Sequence, residues 1–273
     1  MVIKNFDKKF NSSFLIAEAG INHNGKLNLA IKLIDKAKES GADAIKFQTY
    51  KTEKRVKLSS PIYKILKKCE LTNEDFFKLK KYCDKKKFLF FSTPFDESSA
   101  DFLNKIKVKL FKIASFDISN YKLINHILKF RKPTIISTGM SSMKEIKKTR
   151  DLFYNKKIPY SFLHCISSYP NLDQTSYLSN ISDLKEKLKC SIGFSDHTND
   201  IKTSIYSYIL GAKIIEKHFY LGKGHNCVDK PVSIDPLQMK KLKNELLNID
   251  KIMGKVKYGI RKEETKAVQF KRR

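Results

Sequence analysis

Acidic side chains are scarce in this sequence. Among 273 residues there are 28 Asp and Glu against 55 Lys and Arg, for a net charge of +27. Long apolar runs are missing too. The N-terminal segment offers only the short "FLIA", far from the core of a signal peptide, and no stretch approaches the ~18 consecutive apolar residues of a membrane span. The five cysteines, Cys69, Cys83, Cys165, Cys190 and Cys227, are odd in number and form no C-x-x-C pair. That excludes an obvious disulfide framework and fits a reducing compartment. Linker-like and low-complexity segments are absent as well. A soluble, cytoplasmic, single-domain protein is expected.

What is abundant is lysine. Such an excess can serve nucleic acid, an anionic membrane surface or acidic small molecules. Here it is scattered through "DKKKF", "IKVKL", "EIKKTR", "MKKLKNE" and "FKRR", the distribution of solvated helix faces. Neither nucleic acid nor membrane is expected as a partner.

Eight strand-like runs recur: "FLIAEA" (14–19), "AIKFQTY" (44–50), "FLFFSTPF" (88–95), "LFKIAS" (110–115), "PTIISTG" (133–139), "SFLHCIS" (161–167), "CSIGFSDH" (190–197) and "AKIIEKHF" (212–219). Their continuously apolar centres suit strands covered on both faces. Helical patterns lie between them. Leu29, Ala30, Leu33, Ile34 and Ala37 recur at helical spacing, with Gly41 placed as a C-terminal cap. Thr72 or Asn73 opens a second helix, and Ser142 with Glu145 has capping-box spacing. Strand and helix alternating eight times predict an α/β fold, the (β/α)8 TIM barrel, over an open doubly wound sheet. The barrel is expected over 1–258, with a basic tail over 259–273. Only the segment 51–72 is long for a strand-to-helix loop.

A barrel builds its active site at the C-terminal ends of its strands. Those ends carry Glu18, Lys46, Gln48, Ser92, Thr93, Lys112, Ser115, Ser137, Thr138, His164, Ser195, His197, Glu216 and His218. Polar groups at every strand end, inside otherwise apolar runs, should converge on something charged, because burying them unpartnered costs several kcal/mol. His197 and His218 end neighbouring strands. Ser195 shares a face with His197, and Glu216 with His218. Two adjacent imidazoles beside carboxylates suit a divalent metal. Lys46, Lys112, Ser115 and Ser137 suit an anion such as phosphate.

"IAEAGINHNGKLNLAIKLIDKAKESGADAIKFQTYK", "FFSTPFD", "FKIASFDISN", "PTIISTGMSS", "LHCISSYP", "IGFSDHT" and "EKHF" together resemble the barrel domain of the sialic acid synthase family. That resemblance implies condensation of phosphoenolpyruvate with an N-acetylated hexose, N-acetylmannosamine or a deoxy-diacetamido relative, assisted by Mn2+ or Mg2+. It implies His197 and His218 as metal ligands. Lys46, Thr93, Lys112, Ser115, Ser137, Ser167 and Ser195 would hold phosphoenolpyruvate. Glu18, Glu216 and Lys46 would be catalytic, and Asp117, Gln48 and Tyr169 would contact the sugar. Two departures are mild: Asp117 stands where many members have glutamate, and Ser167 where asparagine can occur. Family enzymes commonly continue into an antifreeze-like lid domain. Here the expectation is a barrel-only member, a separately encoded lid or a truncated gene, with a homodimer as a further way to complete the site. Other readings are a sugar-phosphate 3-deoxy-ulosonate synthase, a Schiff-base aldolase working through Lys46 or Lys112, and a partner-dependent non-catalytic subunit.

Overall fold

The computed structural model describes residues 13–272. Eight parallel strands follow one another around a closed sheet: β1 (Phe14–Gly20), β2 (Ala44–Thr49), β3 (Leu89–Pro94), β4 (Phe111–Ile113), β5 (Thr134–Ser137), β6 (Tyr160–His164), β7 (Ile192–Asp196) and β8 (Ile214–Phe219). β1 pairs with β8, Phe14 opposite Ile214 through Glu18 opposite His218, and this seam closes the barrel. A two-residue β9 (Ser233–Ile234), absent from the sequence expectation, adds to the outer end of β8.

The principal helices are α1 (Leu27–Glu39), α2 (Thr52–Arg55), α3 (Tyr63–Cys69), α4 (Asn73–Lys85), α5 (Glu97–Lys105), α6 (Tyr121–Leu128), α7 (Met143–Asn155), α8 (Ser179–Leu188), α9 (Lys202–Ile209) and α10 (Pro236–Met253). α1 buries Ala30, Leu33, Ile34 and Ala37, while Leu29 is only half-buried. Thr72 caps α4 in a reciprocal box with Asp75, and Ser142 caps α7 with Glu145. Each box satisfies N–H groups that the first helical turn leaves open. The segment 51–72 is not a plain loop: it folds into α2 and α3. No helix among the described residues is long and apolar enough to cross a membrane.

Two cores result. Outside the sheet, residues such as Phe47, Phe90, Phe111, Phe162 and Phe194 pack under the helices. Inside the barrel, Phe14, Ile16, Ala44, Phe91, Leu110, Ile135, Leu163 and Ile214 form a separate apolar plug. Gly193 belongs to this crowded layer, since a Cβ there would lie 2.3 Å from the Ile214 carbonyl oxygen and 2.5 Å from Leu163. Two residues further along each strand, on the same inward face, the side chains turn polar: Ile16 gives way to Glu18, Ala44 to Lys46, Phe91 to Thr93, Leu110 to Lys112, Ile135 to Ser137, and Ile214 to Glu216. The plug thus becomes the floor of a polar chamber.

Candidate active site

The chamber is a cavity of about 330 Å³ at the C-terminal ends of the strands. Its floor is a charge network. Lys46 Nζ lies 3.1 Å from Glu18 Oε2 and 3.5 Å from Glu216 Oε2, and it donates to Thr93 Oγ1 at 3.2 Å. Lys112 Nζ donates to Ser137 Oγ at 2.6 Å and to the Ile113 carbonyl at 3.1 Å, and sits 3.9 Å from Glu216 Oε1. Ser195 Oγ donates to the same Glu216 oxygen at 2.9 Å.

All four charged groups are buried, and their environments push them apart. For Glu18 burial dominates and holds the carboxyl above its ordinary range, against the pull of Lys46. For Glu216 burial is opposed by Lys112, Lys46 and the Ser195 hydroxyl, which together bring it down to about 2. Burial disfavours the charge on Lys46, but Glu18 and Glu216 hold its ammonium above the usual lysine range. Lys112 has less carboxylate around it, and burial leaves it below that range. Two carboxyls so separated suit different tasks, one a fixed anion and one a proton carrier.

Beside the network, Ser115 Oγ accepts from the Gly139 N–H at 3.1 Å and lies 3.0 Å from Cys165 Sγ. A Cβ at Gly139 would lie 2.4 Å from Ser167 Oγ and 2.9 Å from Ser115 Oγ. Only glycine leaves that hollow open. The Ser167 hydroxyl is buried without a hydrogen-bond partner, which makes it a donor awaiting an acceptor.

His197 and His218 stand side by side, ring centroids 5.6 Å apart. His197 Nδ1 donates to the Ile166 carbonyl at 2.7 Å. Burial and the neighbouring His218 lower its pKa to about 4, so it is neutral at pH 7. His218 Nδ1 faces Asp229 Oδ2 at 3.4 Å. Burial alone would lower the pKa of His218, but Asp229 outweighs it and raises it. The Tyr169 ring lies 4.2 Å from that of His197. Gln48 Nε2 approaches Glu18 Oε1 at 3.4 Å, and its Oε1 accepts from Arg55 at 2.9 Å.

A family model described as the NeuB family matches residues 33–258. The chain belongs to the NeuB family. Several of the relatives it matches are named as acid synthases. The N,N'-diacetyllegionaminic acid synthase of Campylobacter jejuni is 36% identical over 278 residues, 96% of this chain and 83% of that protein. The human N-acetylneuraminate-9-phosphate synthase is 30% identical over 255 residues, covering 88% and 71% respectively. A solved N-acetylneuraminic acid (sialic acid) synthetase from Leptospira borgpetersenii, in complex with citrate, superposes with a TM-score of 0.92 at 38% identity, covering 95% of this chain and 92% of that one.

Within this NeuB-family barrel the cavity gathers Glu18, Lys46, Gln48, Thr93, Lys112, Ser115, Ser137, Tyr169, Ser195, His197, Glu216 and His218. Ser167 sits just behind Gly139. Asp117 does not line the cavity; it accepts from Asn120 Nδ2 at 2.9 Å. Three strand-end residues turn outward instead. Ser92 Oγ meets Thr49 Oγ1 at 2.7 Å, Thr138 donates to the Leu163 carbonyl, and His164 stacks on Phe194 and reaches the Ser176 carbonyl.

Sequence reasoning missed Cys165, Arg55, Asp229 and the apolar rim. Arg55, at the end of α2, lies 3.7 Å from the centre of the Phe95 ring and 4.7 Å from that of Tyr50. Ile62, Ile65, Leu66, Phe116 and Val228 complete the rim. For Arg55, Ile62, Ile65 and Leu66 the signal was the unusual length of 51–72. Cys165 stands two residues beyond the inward Leu163, where strand periodicity could have found it. Asp229 follows β8 in a loop held by Asn22, whose Oδ1 accepts from the Asp229 N–H at 3.0 Å while its Nδ2 donates to Phe219 O and Ser233 Oγ, each at 2.9 Å.

Proposed function

We propose that the chain condenses phosphoenolpyruvate with the open-chain aldehyde of an N-acetylated hexose, N-acetylmannosamine or a deoxy-diacetamido relative, to give a nonulosonic acid and phosphate. The observation that carries this reading is the buried floor network, in which two ammoniums and two carboxylates meet beside a serine hollow. C3 of the enol bonds to the aldehyde carbon, water adds at C2, and the bond from C2 to the phosphate oxygen breaks. Lys46, Lys112 and the hydroxyls of Ser115, Ser137, Ser167 and Ser195 hold the anion, with Thr93 steadying Lys46. Glu216 keeps both ammoniums charged and in place. Glu18, with its raised pKa, moves protons at the adding water and at the aldehyde oxygen. Preorganised groups of this kind stabilise charge where it develops without rearranging. Gln48, Arg55 and Tyr169 face the acceptor sugar, and the apolar rim suits its acetyl methyl groups.

The imidazole pair fits Mn2+ or Mg2+. Each Nδ1 is turned to a carbonyl or carboxylate, the arrangement that leaves Nε2 for a metal. Among the described residues no group of three or more His, Cys, Asp or Glu side chains forms a cage, so a metal held here would keep positions for water or substrate oxygen. Imidazole donors favour Mn2+ over Mg2+. When bound, the metal supplies Lewis-acid polarisation of a carbonyl oxygen.

Phosphate release from phosphoenolpyruvate, measured with Mn2+ and a panel of N-acetylhexosamines, tests the reading. Release that depends on the acceptor supports it; none with any acceptor, alone or with a separately expressed lid domain, sinks it. A second reading, a Schiff base on Lys112, has the depressed pKa of that lysine in its favour. Borohydride trapping with substrate would reveal it.

A further inference from the structure

Between the inward pairs Ser195/His197 and Glu216/His218 lie two residues that face the other way, Asp196 and Lys217. They are register partners across β7 and β8. Both side chains are fully buried, with Lys217 Nζ 3.1 Å from Asp196 Oδ1. The carboxylate also accepts from the Thr198 N–H and Oγ1, each at 2.8 Å, from Thr203 Oγ1 at 2.8 Å and from Ser204 Oγ at 2.6 Å. Lys217 donates to the Thr198 carbonyl oxygen and, at 3.3 Å, to Thr198 Oγ1.

Outer strand faces elsewhere in this barrel pack mostly apolar side chains under the helices. The outward polar groups Ser92, Thr138 and His164 are held by hydrogen bonds to hydroxyl or carbonyl oxygens and not by an ion pair. A buried ion pair in that place adds little net stability, because desolvating two charges offsets most of their attraction. Its placement is what distinguishes it. Asp196 precedes His197 and Thr198 follows it, so Lys217 holds the side chain of the residue before that histidine and the backbone carbonyl of the residue after it. Lys217 itself directly precedes His218. One ion pair therefore fixes both histidine-bearing strand ends to each other.

We propose that Asp196 and Lys217 are positioning residues that brace His197 and His218, setting the spacing of the two rings and holding His197 Nδ1–H on the Ile166 carbonyl so that Nε2 faces the cavity. The metal-facing half of this inference rests on the function proposed above; the ring orientation does not. Thr203 and Ser204, at the start of α9, extend the brace to the helix, so weakening them should loosen the pair by degrees.

The test compares wild type with Asp196→Asn, Lys217→Met, Ser204→Ala and Thr203→Val. Leu184→Ala is the control, since it opens the outer core under α8 without touching the brace. Long-range proton–nitrogen NMR without metal reads the His197 tautomer. Paramagnetic resonance of free Mn2+ gives the metal Kd, and calorimetry gives the Kd for phosphoenolpyruvate. Asp196→Asn and Lys217→Met are expected to mix the His197 tautomers and to weaken Mn2+ about 10- to 100-fold, the usual effect of losing a group that orients ligands. Phosphoenolpyruvate binding should stay within about threefold, and the two α9 variants should fall in between.

If the first two variants do not fold, Ser204→Ala and Thr203→Val carry the test. An unchanged tautomer and Mn2+ Kd in the variants that fold, or an equal loss in Leu184→Ala, overturns the brace. A wild type with Nδ1-protonated His197 and no Mn2+ affinity would refute the metal reading alone. The tautomer comparison would then still decide the brace.

Discussion

Glu18 and His218 are direct register partners across the seam that closes the barrel, though one lies near the start of the chain and the other near its end. Closure therefore makes the site as well as the fold. It also sets Glu18 near Glu216 on one ammonium, Lys46, with opposite shifts in the two carboxyls.

The two glutamates should then fail differently. Glu18→Gln removes the proton carrier and should lower kcat by ~10²–10⁴, with the KM for phosphoenolpyruvate changed only a few-fold. Glu216→Gln removes the anion shared by Lys46 and Lys112 and should cost about 3–5 kcal/mol of stability, the usual result of breaking a buried pair. Thermal melts and steady-state kinetics of both variants separate the roles. Equal melting temperatures would show that Glu216 is not the structural anion.

Lys112→Ala should act chiefly on substrate binding. It removes a charge-assisted contact to the expected phosphate, about 1.5–3 kcal/mol, or on the order of 10- to 150-fold in the KM for phosphoenolpyruvate. A Michaelis constant at the wild-type value would remove Lys112 from the anion cradle.

Arg55 sits at the rim rather than the floor, with Gln48 its side-chain acceptor. Its charge is opposed by burial and only partly supported by Asp229 and Asp117. Arg55→Met should keep the stacking volume on Phe95 and lose the donors. The KM for the acceptor sugar should rise roughly 10-fold, with that for phosphoenolpyruvate within twofold. The reverse pattern would move Arg55 to the phosphoenolpyruvate side.

The contrast between Lys112 and Arg55 also marks how much could be seen before folding. Glu18, Lys46, Lys112 and Glu216 each stand two residues beyond an apolar inward neighbour, so strand periodicity exposes them. Ser92, Thr138 and His164 stand at strand ends as well, but off the inward face, and a list of strand ends does not separate the two sets. Comparing Phe91 and Thr93 with Ser92 would have done so. Asp229 lies on a loop and Arg55 ends the four-residue α2, and what they face depends on tertiary anchors such as Asn22 and Phe95 that no local pattern reveals. The barrel itself was legible because strand and helix alternate along the whole chain. The short β9 was not, since two residues show no periodicity.

The opposite end of the barrel yields a prediction about stability alone. Several helices close with a backbone hydrogen bond that spans a left-handed residue. Gly41 and Gly211 fill that position at φ +84° and +103°, with Ala42 N–H on Ala37 O and Ala212 N–H on Ser207 O. Lys87, Lys107 and Lys157 fill it elsewhere at φ 51°, 60° and 53°, with Phe88 N–H on Cys83 O, Val108 N–H on Leu103 O and Ile158 N–H on Phe153 O. A side chain in the left-handed region costs roughly 1–2 kcal/mol, partly offset by the greater unfolded-state freedom of glycine. All three lysines are exposed, so little packing is lost with them. Each Lys→Gly change should stabilise by about 0.5–1 kcal/mol, and sites on three separate helices should add. The triple variant should melt roughly 3–8 °C higher. Because helix-to-strand turns lie on the face opposite the strand C-termini, its kcat and KM should equal those of the wild type. A lower melting temperature would mean that these lysines hold the turns in a way their backbone geometry does not reveal.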